Sequence, residues 1–91
     1  MKIGRVIGSV WATKKDEKLN GQKLLIIKIL EDEKLEQSGF IVAADIVGAG
    51  VGDMVLLVNG SAARYAIGNH QTPVDTAIVG IVDTIEVNHN E

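Results

Sequence analysis

The chain has 91 residues, of which 46% are hydrophobic, and its formal net charge is −3 at pH 7. A chain of this length normally builds one hydrophobic core, so we expect residues 1–91 to form a single domain. The acidic balance disfavours nucleic acid as a partner, because proteins that bind a phosphate backbone usually present a basic face. Since cysteine is absent, a disulfide framework and a thiolate metal site are excluded.

The hydrophobic residues are almost all aliphatic, and the only aromatic ones are Trp11, Phe40 and Tyr65. A core rich in valine and isoleucine favours strands, so the predicted fold class is all-β. No stretch approaches the roughly 20 apolar residues that a membrane-spanning helix needs. The N-terminus also lacks the continuous apolar segment of a signal peptide, so we expect a cytoplasmic protein with no membrane partner.

Residues 1–13 alternate with the period of a long first strand. One face carries Ile3, Ile7 and Trp11, and the other carries Val6 and Val10 together with Gly4 and Gly8. Glycine within a strand often marks a bend or a close approach by another backbone, as at the corner of a small barrel. The polar residues 14–22 that follow end in Asn20-Gly21, which indicates a hairpin loop.

Residues 23–30, KLLIIKIL, predict a second strand that is apolar on both faces, which few small monomers can bury. Residues 31–39 form a charged connection, and residues 40–47 predict a third strand. Asp45 is the lone charge in this third strand. We expect its carboxylate to accept hydrogen bonds from a neighbouring loop or to pair with a cation.

Residues 47–64 read VGAGVGDMVLLVNGSAAR, and Gly48, Gly50 and Gly52 alternate there with other residues. These glycines allow a positive φ or a close approach to another surface. Residues 54–58 predict a fourth, buried strand that a turn at Asn59-Gly60 closes. The spacing G-x-G-x-G before a strand excludes a dinucleotide fingerprint, and the missing Gly-Lys-Ser/Thr excludes a Walker phosphate loop.

After the fourth strand, residues 61–67 predict one short helical turn with Ser61 as its N-cap and Gly68 as its stop. Residues 77–87 predict the last strand, with Gly80 allowing a bend. Five strands with glycine bends and one short helical turn fit a small five-stranded OB-like β-barrel.

The polar residues form no catalytic constellation. Ser61, His70 and Asp75 include the residue types of a nucleophilic triad, but no G-x-S-x-G elbow surrounds the serine. His70 and His89 have no partner at metal-ligand spacing. We therefore predict no catalytic residue, no metal, no cofactor and no enzymatic activity.

Two features point to contacts between copies of the chain. Two strands are apolar on both faces and few aromatic residues fill the core, so we expect apolar surface that another copy covers. Arg64 follows a glycine turn and three small residues. Its guanidinium could bind a carboxylate in bidentate fashion across a tight contact, or it could be an ordinary surface arginine.

Three blocks together resemble the bacterial microcompartment vertex proteins, the family of ethanolamine-utilisation and carboxysome pentamers: MKIGRVIGSVWATKK, AADIVGAGVGDMVLLVNGSAAR and TPVDTAIVGIVDTIEV. The resemblance spans nearly the whole chain. It implies an OB-like barrel that forms a cyclic pentamer and closes the five-fold vertices of a polyhedral shell. It also implies hexameric and trimeric shell proteins as partners within a cytoplasmic bacterial microcompartment. Residue patterns do not encode subunit number, so the sequence alone does not distinguish a pentamer from a hexamer.

By resemblance, two family motifs map onto this chain. The first comprises Gly48, Ala49, Gly50, Gly52 and Asp53, and the second comprises Gly60, Ser61, Ala63 and Arg64. We expect both motifs to lie at or near the subunit interface or the central opening. This chain departs from the family at Ala62, where a second serine is frequent, and at Ala44, where a larger apolar residue is usual. The alternative function is an OB-type nucleic-acid-binding module. The acidic net charge and the presence of only three aromatic residues disfavour it, because proteins that bind single strands use a cationic groove and aromatic stacking.

Overall fold

The computed structural model describes residues 1–11, 17–19, 21–30, 36–69 and 71–86. These residues form a closed barrel with the strand order β1-β2-β3-β5-β4. Its elements are β1 (Lys2–Ser9), β2 (Lys23–Leu30), β3 (Glu36–Asp45), β4 (Met54–Asn59), α1 (Gly60–Ile67) and β5 (Thr76–Ile81). The predicted all-β fold, a small five-stranded barrel with one short helix, is confirmed.

Neighbouring strands pair in antiparallel fashion except at one place. The chain closes the barrel through a parallel pairing of β3 with β5, in register at Ala44 with Ala77 and at Asp45 with Ile78. A parallel pair needs a crossover connection, and β4 with α1 supplies it here.

Alternate residues of each strand point into the barrel and fill it with aliphatic side chains. In β2 the inward-facing residues are Leu25, Ile27 and Ile29, and all three are buried. Leu24 and Ile26 point outward, so β2 is apolar on both faces, as predicted. The core cluster consists of Val6, Leu25, Ile27, Ile29, Ala43, Ala49, Val55, Leu57 and Ile78. Burying one such large aliphatic side chain contributes about 1.5–3 kcal/mol.

Gly4 marks the close approach that glycine in a strand predicts. A Cβ atom at this position would run into Cγ2 of Ile27, and it would lie 3.0 Å from the carbonyl oxygen of Lys28 and 3.3 Å from Cδ1 of Leu57. β1 can therefore take its place in the barrel wall at Gly4 only without a side chain there.

A bulge in β1 separates Gly4 from Gly8. Val6 pairs with Ile27 and Gly8 pairs with Ile26, so Ile7 is an extra residue in β1. The extra residue turns Gly8 to the outer surface, where its Cβ direction faces the Ile26 side chain. The prediction that Gly4 and Gly8 share one face is therefore wrong.

Three strand boundaries differ from the predicted ones. β1 ends at Ser9 instead of residue 13, and β3 spans Glu36–Asp45 instead of residues 40–47 because Glu36 already pairs with Leu30. β5 ends at Ile81 instead of residue 87, since its partner β4 begins at Met54, whose carbonyl accepts the amide of Val82. Residues 31–35 and 87–91 lie outside the described residues.

The predicted hairpin loop over residues 14–22 contains a short 3-10 helix at Glu17–Leu19. Gly21 has a φ of +82°, the left-handed conformation expected of the glycine in this turn. Residues 12–16 and Asn20 lie outside the described part of the chain.

The helix α1 is longer than the predicted turn and starts one residue earlier. Its N-cap is Asn59, not Ser61, because the amide of Gly60 donates to the carbonyl of Asp75 at 2.7 Å and the helix begins there. The junction at Asn59-Gly60 thus leads from a strand into a helix and is not a hairpin turn. Gly68 ends the helix in the left-handed conformation, as predicted. No helix in the described residues is long and apolar enough to cross a membrane.

Candidate subunit-contact site

The glycine loop, residues 46–53, connects β3 to β4. One carboxylate at the end of β3 holds it in place. Asp45 accepts hydrogen bonds from the amides of Val47 at 3.0 Å and Ala49 at 2.9 Å. The ammonium group of Lys23 lies 3.5 Å from the same carboxylate and donates to the carbonyl of Ala49 at 2.8 Å. Both roles expected of Asp45, loop acceptor and cation partner, are therefore present together.

Strand β1 holds the other end of the glycine loop. The amide of Gly52 donates to the carbonyl of Val6, and the amide of Val6 donates to the carbonyl of Asp53, both at 2.9 Å. The guanidinium of Arg5 donates to the carbonyl of Gly52 at 3.0 Å. Within the loop, the amide of Gly50 donates to the carboxylate of Asp53 at 2.8 Å. Three strands and the loop itself thus fix this backbone.

The loop contains glycine at three positions, and backbone conformation requires it at only two of them. Gly48 and Gly52 have φ values of +82° and +96°, which side chains rarely adopt, so the loop conformation itself requires glycine there. Gly50 has no positive φ, and the nearest atom to its Cβ position is a carboxylate oxygen of Asp53 at 4.0 Å. The fold of one chain therefore does not require glycine at position 50.

Two side chains of the glycine loop point in opposite directions. Ala49 is buried and belongs to the hydrophobic core, so it anchors the loop inside its own chain. Val51 is 71% exposed and stands between Gly50 and Gly52. An exposed aliphatic side chain on a fixed backbone with glycine on both sides is suited to contact another surface.

The second motif lies on α1. Gly60 begins the helix with a φ of +61°, and Ser61 is exposed. Ala63 is fully buried between the helix and the barrel, so its side chain serves the fold of its own chain. Arg64 is half-buried, and its carbonyl accepts the capping amide of Gly68.

The two motifs lie at opposite ends of β4. Asp53 precedes the first residue of that strand and Gly60 follows its last. A strand rises about 3.3 Å per residue, so Asp53 and Gly60 are separated by about 20 Å. A single small contact cannot contain both residues, although they belong to one run of the sequence.

The sequence analysis weighed four polar side chains for catalysis or metal binding, and the structure describes two of them. Ser61 and Asp75 are exposed, whereas His70 and His89 lie outside the described residues. In the part of the chain that the structure describes, no three His, Cys, Asp or Glu side chains gather where they could hold a metal ion.

Sequence reasoning missed three residues of this site. Lys23 and Arg5 sit in separate strands, and only the closed barrel brings their cations to the glycine loop. Val51 was visible in the sequence, but its exposure depends on the direction in which the loop leaves the barrel. The described residues thus form a small closed β-barrel whose glycine loop is held by side chains and backbone of three strands.

The chain belongs to the EutN/CcmL family, since the family model described as "Ethanolamine utilisation protein EutN/carboxysome" matches residues 1–83. The carboxysome shell vertex protein CcmL of Nostoc is 48% identical over 88 residues, which are 96% of this chain and 87% of that protein. The structure of CcmL from Gloeobacter violaceus superposes with a TM-score of 0.88 at 40% identity and covers 97% of this chain and 91% of the other.

A second solved structure is the pentameric microcompartment shell protein GrpN from Rhodospirillum rubrum. It has a TM-score of 0.85 and 41% identity and covers 97% of this chain and 100% of the other. These relatives are named as structural shell proteins and not as enzymes. The chain is therefore a structural shell protein of a bacterial microcompartment, and the alternative of a nucleic-acid-binding module is not favoured.

Proposed function

We propose that the chain assembles into a cyclic pentamer that closes the five-fold vertices of a polyhedral microcompartment shell. The observation that supports this proposal is the likeness to the pentameric GrpN, which covers 97% of this chain and the whole length of GrpN. A flat sheet of six-fold tiles cannot close into a polyhedron, so such a shell needs five-fold units at its corners. Hexameric and trimeric shell proteins of the same compartment are the partners that this role requires.

The glycine loop supplies one face of the ring contact or of its central opening. Gly48, Gly50, Gly52 and Asp53 present a backbone that is already fixed, so little conformational entropy is lost when a neighbour docks. Gly50 supports a close approach, because nothing within the chain requires glycine there. The buried side chains of Ala49 and Ala63 contribute only by shaping these segments.

Arg64 acts in this proposal as an interface clamp, and Gly60 and Ser61 lie beside it on α1. Arg64 is half-buried, and its guanidinium has no hydrogen-bond or ion-pair partner among the described residues. A carboxylate of a neighbouring copy would provide a bidentate partner of the kind that arginine prefers.

Native mass spectrometry of the purified chain tests the proposed assembly. A mass of five chains is expected. A monomer would contradict the vertex role, and a mass of six chains would contradict its five-fold geometry.

The clamp has a separate test. Arg64→Ala should weaken the ring, Arg64→Lys should restore only part of the loss because an ammonium group cannot form the bidentate pair, and the exposed cation variant Lys2→Ala should leave assembly unchanged. If Arg64→Ala assembles like the unchanged chain, Arg64 is an ordinary surface residue.

A further inference from the structure

The side of the barrel carries an exposed apolar patch on β1, β2 and β3, adjacent to Val6, where β1 holds the glycine loop. Lys23–Leu30 alternates, so Ile26 points outward, and its cross-strand partners are Gly8 on β1 and Val42 on β3. Phe40 is 60% exposed and Val42 is 48% exposed, and the bulged Ile7 beside Gly8 is also exposed. We call Ile7, Gly8, Ile26, Phe40 and Val42 the outer face.

Neither a positive φ nor internal packing requires glycine at position 8. Its φ is not positive, and a Cβ atom would meet only Cδ1 of Ile26, at the ordinary contact distance of 3.6 Å. Gly4, in the same strand, has no such room. Glycine within a strand often marks a bulge or a close approach by another molecule. Both descriptions fit Gly8, which lies beside the bulge at Ile7 and leaves a notch on the outer side of the barrel.

The backbone beside the outer face is also open. β3 pairs with β2 along its length, but on its other side β5 pairs only with Ala44 and Asp45. Among the described residues, no strand lies against that side of β3 at Phe40 and Val42. A side chain as large as Phe40 on an uncovered strand edge is the type of surface that proteins normally cover.

We infer that the outer face is the second half of the ring contact and is covered by another copy of this chain. This inference rests on the proposed pentamer. A cyclic ring repeats one heterologous contact, so each subunit must offer two unlike faces that fit each other. The glycine loop at the mouth of the barrel is one face, and its exposed Val51 needs an apolar receiving surface. The outer face, with the notch at Gly8, provides such a surface on the side of the barrel.

Two pairs of variants test this assignment. Gly8→Ala adds one methyl group to the notch, and Gly80→Ala adds the same group to another strand glycine beside a bulge, where the nearest atom, Cβ of Leu56, is also 3.6 Å away. Phe40→Ser removes an exposed ring from the outer face, and Lys2→Ala shortens an exposed side chain at the start of β1, six residues from Gly8.

Native mass spectrometry over a dilution series measures the concentration at which half of the chains are in rings. We expect Gly8→Ala to raise this concentration about tenfold and Phe40→Ser about thirtyfold, the usual effects of blocking or removing a central contact. Gly80→Ala and Lys2→Ala should leave it unchanged. Circular dichroism of dilute samples should show the same folded barrel in all four, and since Phe40 is exposed, Phe40→Ser decides the matter if Gly8→Ala alters the fold.

The outcomes separate the two proposals. If the unchanged chain forms rings and both outer-face variants keep them at the same concentration, the outer face is not the subunit contact and the pentamer stands. Equal loss in the control variants would also overturn the assignment. If the unchanged chain is a monomer at every concentration, the pentamer and the outer-face contact both fail.

Discussion

The carboxylate of Asp45 and the ammonium group of Lys23 lie 3.5 Å apart, and the two side chains hold opposite sides of one residue. Asp45 accepts from the amide of Ala49, and Lys23 donates to the carbonyl of Ala49. The carboxylate side chain is 1% exposed, whereas the lysine side chain is 55% exposed. The glycine loop is therefore fixed by one enclosed acceptor and one cation that reaches in from solvent.

Asp45→Asn should destabilise the folded chain by about 1–3 kcal/mol. An amide side chain lacks the charge and presents an NH2 group where one backbone amide needs an acceptor, so a polar group in the loop is left without a partner. The expected loss in melting temperature is several degrees for each kcal/mol in a domain of this size. Thermal unfolding at one fixed protein concentration measures it, and Asp83→Asn, at an exposed position, is the control.

Lys23→Gln should cost less, about 0.2–1 kcal/mol, because an ion pair with one exposed partner is weakened by water and salt. The loss should shrink as salt is added, since added ions screen the attraction in the unchanged chain. A double-mutant cycle with Asp45→Asn measures the coupling. Additive effects of the two substitutions would show that the two side chains hold the loop independently.

Gly48→Ala and Gly52→Ala should each cost about 1–2 kcal/mol, since both glycines have a positive φ that a Cβ atom disfavours. Gly50→Ala is the matched control in the same loop. Its φ is not positive and its Cβ position is open, so the monomer should fold with little change. Chemical denaturation of dilute samples gives the three free energies of unfolding. A loss at position 50 equal to the others would contradict the φ argument.

Gly4→Ala should destabilise the barrel by about 1–3 kcal/mol, because the new methyl group would overlap Ile27 inside a close-packed core. Gly80→Ala provides the comparison, since its Cβ atom would lie 3.6 Å from Cβ of Leu56 on the outer side of the barrel. Thermal unfolding of the two variants should separate them clearly. Equal stability would mean that the core at Gly4 repacks at no cost.

The sequence predicted the fold wherever hydrophobic periodicity and glycine chemistry acted locally. The bounds of β2 agree with the prediction, and β4 agrees to within one residue, because their apolar runs end at turn or polar residues. Gly68 ends α1 as predicted, since a left-handed C-cap needs only local backbone chemistry. The strand after the glycine loop, which excluded a dinucleotide site, is also present.

The sequence could not predict features that depend on how distant strands meet. The bulge at Ile7 follows from the register between β1 and β2, and it alone decides that Gly8 points outward. Asn59 is the N-cap because the backbone carbonyl of Asp75, far along the chain, accepts a hydrogen bond from the amide of Gly60. The two candidate motifs are close in sequence, yet a buried strand keeps Asp53 and Gly60 apart.

The parallel seam between β3 and β5 joins the barrel through two residue pairs, whereas each antiparallel neighbour is joined by at least four. The seam connects strands far apart in the chain, so it forms only after β4 and α1 have been placed, and it is the first part of the barrel expected to open. A neighbouring copy that contacts β3 would cover this seam. Assembly would then stabilise the weakest pairing of an already closed barrel, and in a chain outside its ring the first local opening would occur at Ala44 and Asp45, directly beside the loop that its neighbour must receive.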